Sequence, residues 1–259
     1  MFNKSIRIIF GFLELDLPDM DTSWLSRTQL LIGEENVQKL TRAHVLIVGM
    51  GGVGSYAAEF VCRSGVGTIT IIDGDVVDPT NRNRQLPALS TNHGQYKADI
   101  MAARLMEINP ELKLNVVRSF VYPENVESLL DVKPDFIIDA IDSISPKLTF
   151  MRTAYKLKIP FVSSMGAGAK LDPTQLKVVD ISKTYHCPFA QQIRKTLRKK
   201  DGIYKGITVV FSPELPIKES LMLTDGTLFK KSAYGTISYL PATFGAVCAS
   251  VAIRHLVEM

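Results

Sequence analysis

Seven short apolar, β-branched runs interspersed with seven helical patterns predict an α/β fold with a doubly wound, mainly parallel sheet. A Gly-rich turn between the first run and the first long helix supports the same class. In order, a helix over 34–40 leads into a strand over 44–49, a helix over 54–64 and a strand over 68–73. A polar loop follows, then a helix over 94–108, a strand over 113–118 and a helix over 124–130. Next come a strand over 135–140, a helix over 146–157 and a strand over 160–164. Strands over 175–181 and 207–211 flank a helix over 188–199 and extend the sheet, in part antiparallel. A last apolar helix covers 241–257. The turn over 199–205 and the loop over 214–234 are the segments expected to be disordered.

Length and composition bound the architecture. At 259 residues with 46% hydrophobic content the chain can bury one large core. It divides into an N-terminal extension (1–20, with Met20 a candidate native start), a nucleotide-binding core (21–165) and a C-terminal extension (166–259). The first 17 residues hold Lys4 and Arg7, but Glu14, Asp16 and the lack of a small-residue cleavage site argue against a signal peptide. The uncharged tract 237–253 is at the lower limit for a membrane helix and reads better as a buried one, with membrane association the alternative. Three cysteines, Cys62, Cys187 and Cys248, form no CxxC pair, which fits a reducing cytoplasm and excludes a four-cysteine zinc site. Cys62 and Cys248 sit in apolar helical patterns and read as packing. Cys187 stands near basic residues, where an exposed, reactive thiolate is one reading.

The motif GMGGVGS (49–55) sits between strand and helix, the context that a Rossmann-like nucleotide turn requires. Gly49 permits the tight turn, Gly51 and Gly52 let backbone approach a phosphate, and Gly54 allows close helix–strand packing. Asp73, at the end of the second strand, lies where a ribose hydroxyl would be gripped. Alone, this pattern fits an NAD-binding dehydrogenase. The polar loop that follows argues otherwise, because Asp75, Asp78, Asn81, Arg84 and Gln85 precede Lys97 at the next helix. Asn81, Arg84 and Lys97 are donors suited to phosphate oxygens. Asp139 and Asp142 follow the strand over 135–140, at the sheet edge that faces the ligand crevice, where one carboxylate could hold Mg²⁺ on a triphosphate. The plainer alternatives are a solvated loop and an Asp142 helix cap.

Taken in order, SRTQLLIG, VLIVGMGGVGS, SGVGTITIIDGD, N-x-x-R-Q at 81–85, Lys97 and D-x-x-D ending at Asp142 resemble the E1-like adenylating family. That family includes the ThiF, MoeB and HesA proteins and ubiquitin-activating enzymes. The resemblance implies that ATP and Mg²⁺ are used to activate a carboxylate as its adenylate. It implies that Asp73 binds the ribose, that Asp75, Asn81, Arg84, Gln85 and Lys97 line the nucleotide, and that Asp142 coordinates Mg²⁺. Arg27 matches an arginine that reaches the γ-phosphate from a partner subunit, which implies a homodimer; the usual R-Q is R-T-Q here. Arg27, Arg84, Lys97 and Asp142 are thus the implied catalytic groups.

A second charge feature bears on the acceptor. Between 181 and 210, Lys183, Arg194, Lys195, Arg198, Lys199, Lys200 and Lys205 stand against the single acid Asp201, in a chain of net charge only +4. Such a local cluster, in the region expected to cover the adenylate, suits an RNA backbone, and Tyr185, Phe189 and Tyr204 could stack on bases. The alternative is a solvated helix face. VSSMGAGAKLDPTQLKVVDISKT (162–184), VVFSPE (209–214) and ATFGAVCASVAI (242–253) resemble the tRNA-modifying branch of the family. That branch implies ATP-dependent dehydration of threonylcarbamoyladenosine in the tRNA anticodon loop, with the side chain's own nitrogen closing on the adenylate. No catalytic cysteine is then needed. The resemblance also admits a cysteine desulfurase or sulfur-acceptor system as a partner, while DNA is not expected. Activation of a ubiquitin-like sulfur carrier and a non-catalytic nucleotide- or RNA-binding scaffold remain the alternatives.

Overall fold

A computed structural model describes residues 21–223 and 232–259; the expected N-terminal extension and residues 224–231 lie outside the described residues. The elements are α1 (Ser26–Ile32), α2 (Glu34–Arg42), β1 (His44–Val48), α3 (Gly54–Arg63), β2 (Thr68–Ile72) and α4 (Lys97–Ile108). They continue with β3 (Lys113–Val117), α5 (Val126–Leu130), β4 (Phe136–Asp139), α6 (Ile144–Lys156) and β5 (Phe161–Ser164). Then come β6 (Lys177–Asp180), α7 (Pro188–Asp201), β7 (Thr208–Phe211), the hairpin strands β8 (Leu221–Leu223) and β9 (Ser232–Tyr234), and α8 (Tyr239–Leu256).

The main sheet has seven strands in the order β3-β2-β1-β4-β5-β7-β6. Neighbours pair in parallel except β6, which runs antiparallel to β7. The chain winds outward from β1 through β2 and β3, then crosses back to β4, so strand order reverses between β1 and β4. That reversal opens a crevice at the carboxyl ends of the strands. β1 shows why the sheet needs helices on both faces: Val45 and Ile47 enter the core with α3, α4 and α8, whereas Leu46 and Val48 enter the core with α5 and α6. Each such side chain contributes ~1.5–3 kcal/mol by leaving water.

All seven predicted strands form. The helix expected from 94 starts at Lys97, and that expected from 124 starts at Val126. The uncharged tract becomes α8, buried through Leu240, Phe244, Cys248, Ala249 and Ala252. It lies close along α3 because Gly245 has no side chain: a Cβ there would stand 3.0 Å from the Ala57 nitrogen and the Tyr56 Cβ. No helix among the described residues is long and apolar enough to cross a membrane.

One expectation fails. The turn over 199–205 is not disordered, because α7 runs on to Asp201 and ends in a glycine cap. Gly202 takes the left-handed conformation at φ 66°, Ile203 N–H donates to Leu197 O at 3.1 Å, and Arg152 pairs with Asp201 at 2.8 Å. Of the loop over 214–234, residues 224–231 lie outside the described residues; on either side of them β8 and β9 pair as antiparallel strands. The two proposed halves also share one sheet, since β6 and β7 from beyond residue 166 extend strands formed before it.

Candidate nucleotide site and basic surface

The Gly-rich turn sits where β1 meets α3, at the β1/β4 crevice. Gly49 has φ 90°, and a Cβ there would stand 2.9 Å from the Ala140 oxygen. A Cβ on Gly54 would overlap the Gly49 oxygen and lie 3.1 Å from the Ala140 Cβ. Gly52 packs against α8, where a Cβ would be 3.0 Å from the Pro241 Cβ. A Cβ on Gly51, by contrast, would meet only the Gln85 Nε2 at 3.9 Å. This is an open cradle in front of the first turn of α3, where Ser55 N–H donates to Gly51 O at 3.3 Å and Ala57 N–H to Val53 O at 3.0 Å, and the helix N-terminus favours an anion.

Asp73 clamps the turn. Its Oδ2 accepts the Met50 N–H at 2.5 Å and its Oδ1 accepts the Asp75 N–H at 2.7 Å. Burial pushes its carboxyl up, against the pull of Lys97 and of those two N–H groups. Lys97 Nζ pairs with Asp75 at 3.0 Å at the start of α4. The loop carrying N-x-x-R-Q folds onto the turn: a Cβ on Gly52 would be 3.2 Å from the Arg84 oxygen. Asn81 is buried and its Oδ1 accepts the Asp78 N–H at 3.2 Å, which fixes that loop. Arg84 Nη1 donates to Thr80 O at 2.9 Å and Asn83 Oδ1 at 2.7 Å. Gln85 Oε1 is buried without a hydrogen-bond partner, and Gln85 adjoins the cradle, as a residue awaiting a ligand donor would. The open cradle fits a phosphate, while the Gln85 acceptor fits a hydroxyl or amino donor elsewhere on a nucleotide.

Asp142 is exposed just beyond β4, one turn before α6; Ser143, not Asp142, is the cap residue of α6. Among the described residues no three His, Cys, Asp or Glu converge on one point. A divalent ion here would take one carboxylate and otherwise phosphate and water oxygens, a donor set that suits Mg²⁺. Asp139 does not face the crevice. It is 0% exposed and pairs at 2.8 Å with Lys147, also 0% exposed. Removing one partner would strand a buried charge at a cost of ~3–5 kcal/mol. Lys147 was not predicted, although it shares the apolar face of α6 with Met151 and Ala154 at helical spacing.

Arg27 is not brought to this site within one chain. It is exposed on α1, two residues after Leu25, which packs against Gly65 at the far end of α3. α3 spans about 15 Å. Beside Arg27, Leu30 and Leu31 are 89% and 82% exposed.

Cys187 is 3% exposed, so the exposed-thiolate reading fails: the residue sits at the buried start of α7, on the side that packs into the core. Lys170, also buried, lies near it; burial pulls the Lys170 ammonium below its ordinary value, against Cys187 and Glu214. Cys62 and Cys248 are buried as expected, and burial pushes both thiols up to about 12.

The basic run does not lie over the Gly-rich turn. α7 starts beside Gly166, where a Cβ would be 3.4 Å from the Phe189 Cβ, and runs down α6 to the opposite edge of the sheet. There Arg198 stacks over Tyr204 at 5.4 Å, and Lys205 precedes the start of β7. Lys183, Lys195, Lys199 and Lys200 are exposed, whereas Arg194 bonds the Thr184 carbonyl and hydroxyl and ties α7 to the preceding turn. A cavity of about 480 Å³ at that edge is lined by Phe136, Tyr155, Lys158, Phe161, Thr208 and His255, and none of the expected site residues reaches it. If the surface binds RNA phosphates, replacing Arg198, Lys199 and Lys200 with Gln should lower the slope of log affinity against log salt by about 2 to 3. A salt titration of tRNA binding checks this, and an unaltered slope would remove the surface from RNA binding.

Comparison with known proteins agrees with this geometry. Residues 25–259 match the ThiF family. A tRNA threonylcarbamoyladenosine dehydratase of Escherichia coli is 39% identical over 256 residues, covering 90% of this chain and 94% of that protein. The Bacillus subtilis protein of the same name is 47% identical over 192 residues, covering 74% of this chain and 75% of its own length. The crystal structure of the E. coli enzyme in complex with ATP superposes with a TM-score of 0.84 at 39% identity, covering 92% of this chain and 95% of the other. Its AMP complex gives 0.83 at 40% identity. The chain thus belongs to the ThiF family, and the relatives it resembles over most of their length are named tRNA threonylcarbamoyladenosine dehydratases.

Proposed function

We propose that this protein is an ATP-dependent dehydratase acting on threonylcarbamoyladenosine in tRNA. The observation that carries the reading is the open Gly cradle at the β1/β4 crevice, onto which the 81–85 loop folds through the Arg84 backbone and the Gln85 side chain, with the Asp75–Lys97 pair at the start of α4. The substrate's carboxylate attacks the α-phosphate of ATP and pyrophosphate leaves. A nitrogen of the same side chain then attacks the acyl carbon, AMP leaves, and the nucleoside has lost one water. The chain supplies positioning and charge neutralisation rather than a nucleophile. Arg84 and Lys97 offer donors to the phosphates, Asp73 holds the turn and the ribose, and Asp142 would hold Mg²⁺. Bound there, Mg²⁺ would neutralise triphosphate charge. A homodimer would bring Arg27 to the partner's nucleotide, and exposed Leu30 and Leu31 beside it offer an interface. A cytoplasmic location suits the tRNA substrate and three free, buried cysteines.

The test is mass spectrometry of nucleosides after threonylcarbamoyladenosine-bearing tRNA is incubated with the protein, ATP and Mg²⁺. The expected product is lighter by one water and forms only with ATP. No change, from protein that binds ATP, would shift the reading to a carrier-protein carboxylate.

A further inference from the structure

Among the described residues, Lys147 and its partner Asp139 are fully buried charges that the proposed chemistry leaves unused. The Lys147 Nζ reaches the Asp139 Oδ2 at 2.8 Å, the Ile141 carbonyl at 3.0 Å and the Asp139 carbonyl at 3.5 Å. It lies 5.9 Å from the centre of the Phe189 ring of α7. Asp139 is held further by the Ser163 hydroxyl at 2.7 Å and the Ile141 N–H at 3.0 Å. These bonds all converge on residues 139–141, the turn between β4 and α6. The same turn presents Ala140 to Gly49 and Gly54, and it leads directly into Asp142. One ammonium thus ties together the strand end, the turn backbone and the first helical turn behind it.

We infer that Lys147 is a positioning residue: by gripping the carbonyls of 139 and 141 and neutralising Asp139, it aims Asp142 at the metal–triphosphate. Two physical points carry this. A lysine serving only as core filler would be better replaced by an apolar side chain of similar volume, so a retained buried pair points to a specific geometry that it enforces. An unneutralised Asp139 directly behind the turn would also set a fixed negative charge against the incoming phosphates, whereas the pair presents none. The inference rests on the proposed role of Asp142.

The test compares the full-length protein with the near-isosteric, charge-free pair Lys147→Met/Asp139→Asn, each with and without Asp142→Ala. A melting curve establishes that each variant folds. Calorimetric affinity for a non-hydrolysable ATP analogue is then measured with and without Mg²⁺. In the parent, Asp142→Ala should weaken Mg²⁺-dependent binding about tenfold or more. The charge-free pair should show a loss of about 10- to 100-fold in Mg²⁺-dependent affinity and binding within about twofold of the parent when Mg²⁺ is absent. Adding Asp142→Ala to the charge-free pair should then cost less than about twofold, because the carboxylate has already lost its aim. Parent-like Mg²⁺ dependence in the charge-free pair, or a full loss from Asp142→Ala within it, overturns the positioning role while leaving the role of Asp142 intact. No effect of Asp142→Ala in the parent overturns both, and the parent control tells the two failures apart. If that pair does not fold, Lys147→Gln/Asp139→Asn, which is also charge-free and can keep one hydrogen bond between the two amides, is read in the same way.

Discussion

Replacing Gly54 with Ala should eliminate ATP binding and lower the melting temperature. The added methyl would overlap the Gly49 oxygen, lie 3.0 Å from the Gly49 carbonyl carbon and press on the Ala140 Cβ at 3.1 Å. All of these are backbone atoms or short side chains at the strand–helix turn, so no side chain can swing aside. Overpacking of this kind costs ~1–3 kcal/mol in stability, and more where the backbone is locked. A displacement of about 1 Å at the turn is enough to lose about a hundredfold in function. Gly51→Ala separates the two effects. Its Cβ would meet only the Gln85 Nε2 at 3.9 Å, so the fold should melt as before while the methyl occupies the phosphate's place. Calorimetry with ATP, beside a melting curve for each variant, distinguishes them. Undiminished ATP affinity in Gly51→Ala would mean that no phosphate rests on that cradle.

Asp142→Ala should abolish product formation, by about 10² to 10³ in turnover, with little change in stability. The carboxylate is exposed and lies outside α6, and the bond it accepts from the Ser143 hydroxyl is long, at 3.4 Å. Affinity for tRNA should hold, because the exposed basic side chains of α7 lie elsewhere. Asp139→Ala, three residues earlier, should behave oppositely: it leaves Lys147 buried and unpaired and should cost stability first. Turnover with threonylcarbamoyladenosine-bearing tRNA and a melting curve on both variants check the contrast. Unchanged turnover in Asp142→Ala would remove that residue from the mechanism.

The sheet was legible chiefly from its central strands, β1, β2 and β4, which are apolar, β-branched runs buried throughout save for the first residues of β1 and β2, and the nucleotide turn because Gly49 and Gly54 leave no room for a side chain. What escaped the sequence has particular physical causes. α1 buries none of its residues, so no apolar stripe marks it. Lys147 reads as surface because lysine almost always is; only the pairing with Asp139, distant in pattern terms, permits it a core position. Cys187 looked exposed because basic residues follow it in sequence, yet it is the extended residue just before α7 and packs into the core with Ala190, Ile193 and Leu197. The basic run misled for a related reason. Charges adjacent in sequence were expected to stay near the site, but a fourteen-residue helix carries them to the other edge. The double duty of Asp73, as a clamp on the Met50 and Asp75 N–H groups, has no signature in sequence at all.

The seating of α8 against α3 has a consequence for how the protein is made. Gly52 rests on Pro241, and Gly245 on Val53 and Ala57, contacts between segments nearly two hundred positions apart in the chain. A growing polypeptide carrying β1, α3 and β2 therefore exposes the apolar flank of α3 until 239–256 leave the ribosome. Contacts of such long range form late and slowly. During that interval the nascent chain is a client for holdase chaperones and a target for aggregation. The nucleotide turn gains its backing only once α8 has docked, so ATP can stabilise the folded protein but can do little for a chain that still lacks that helix.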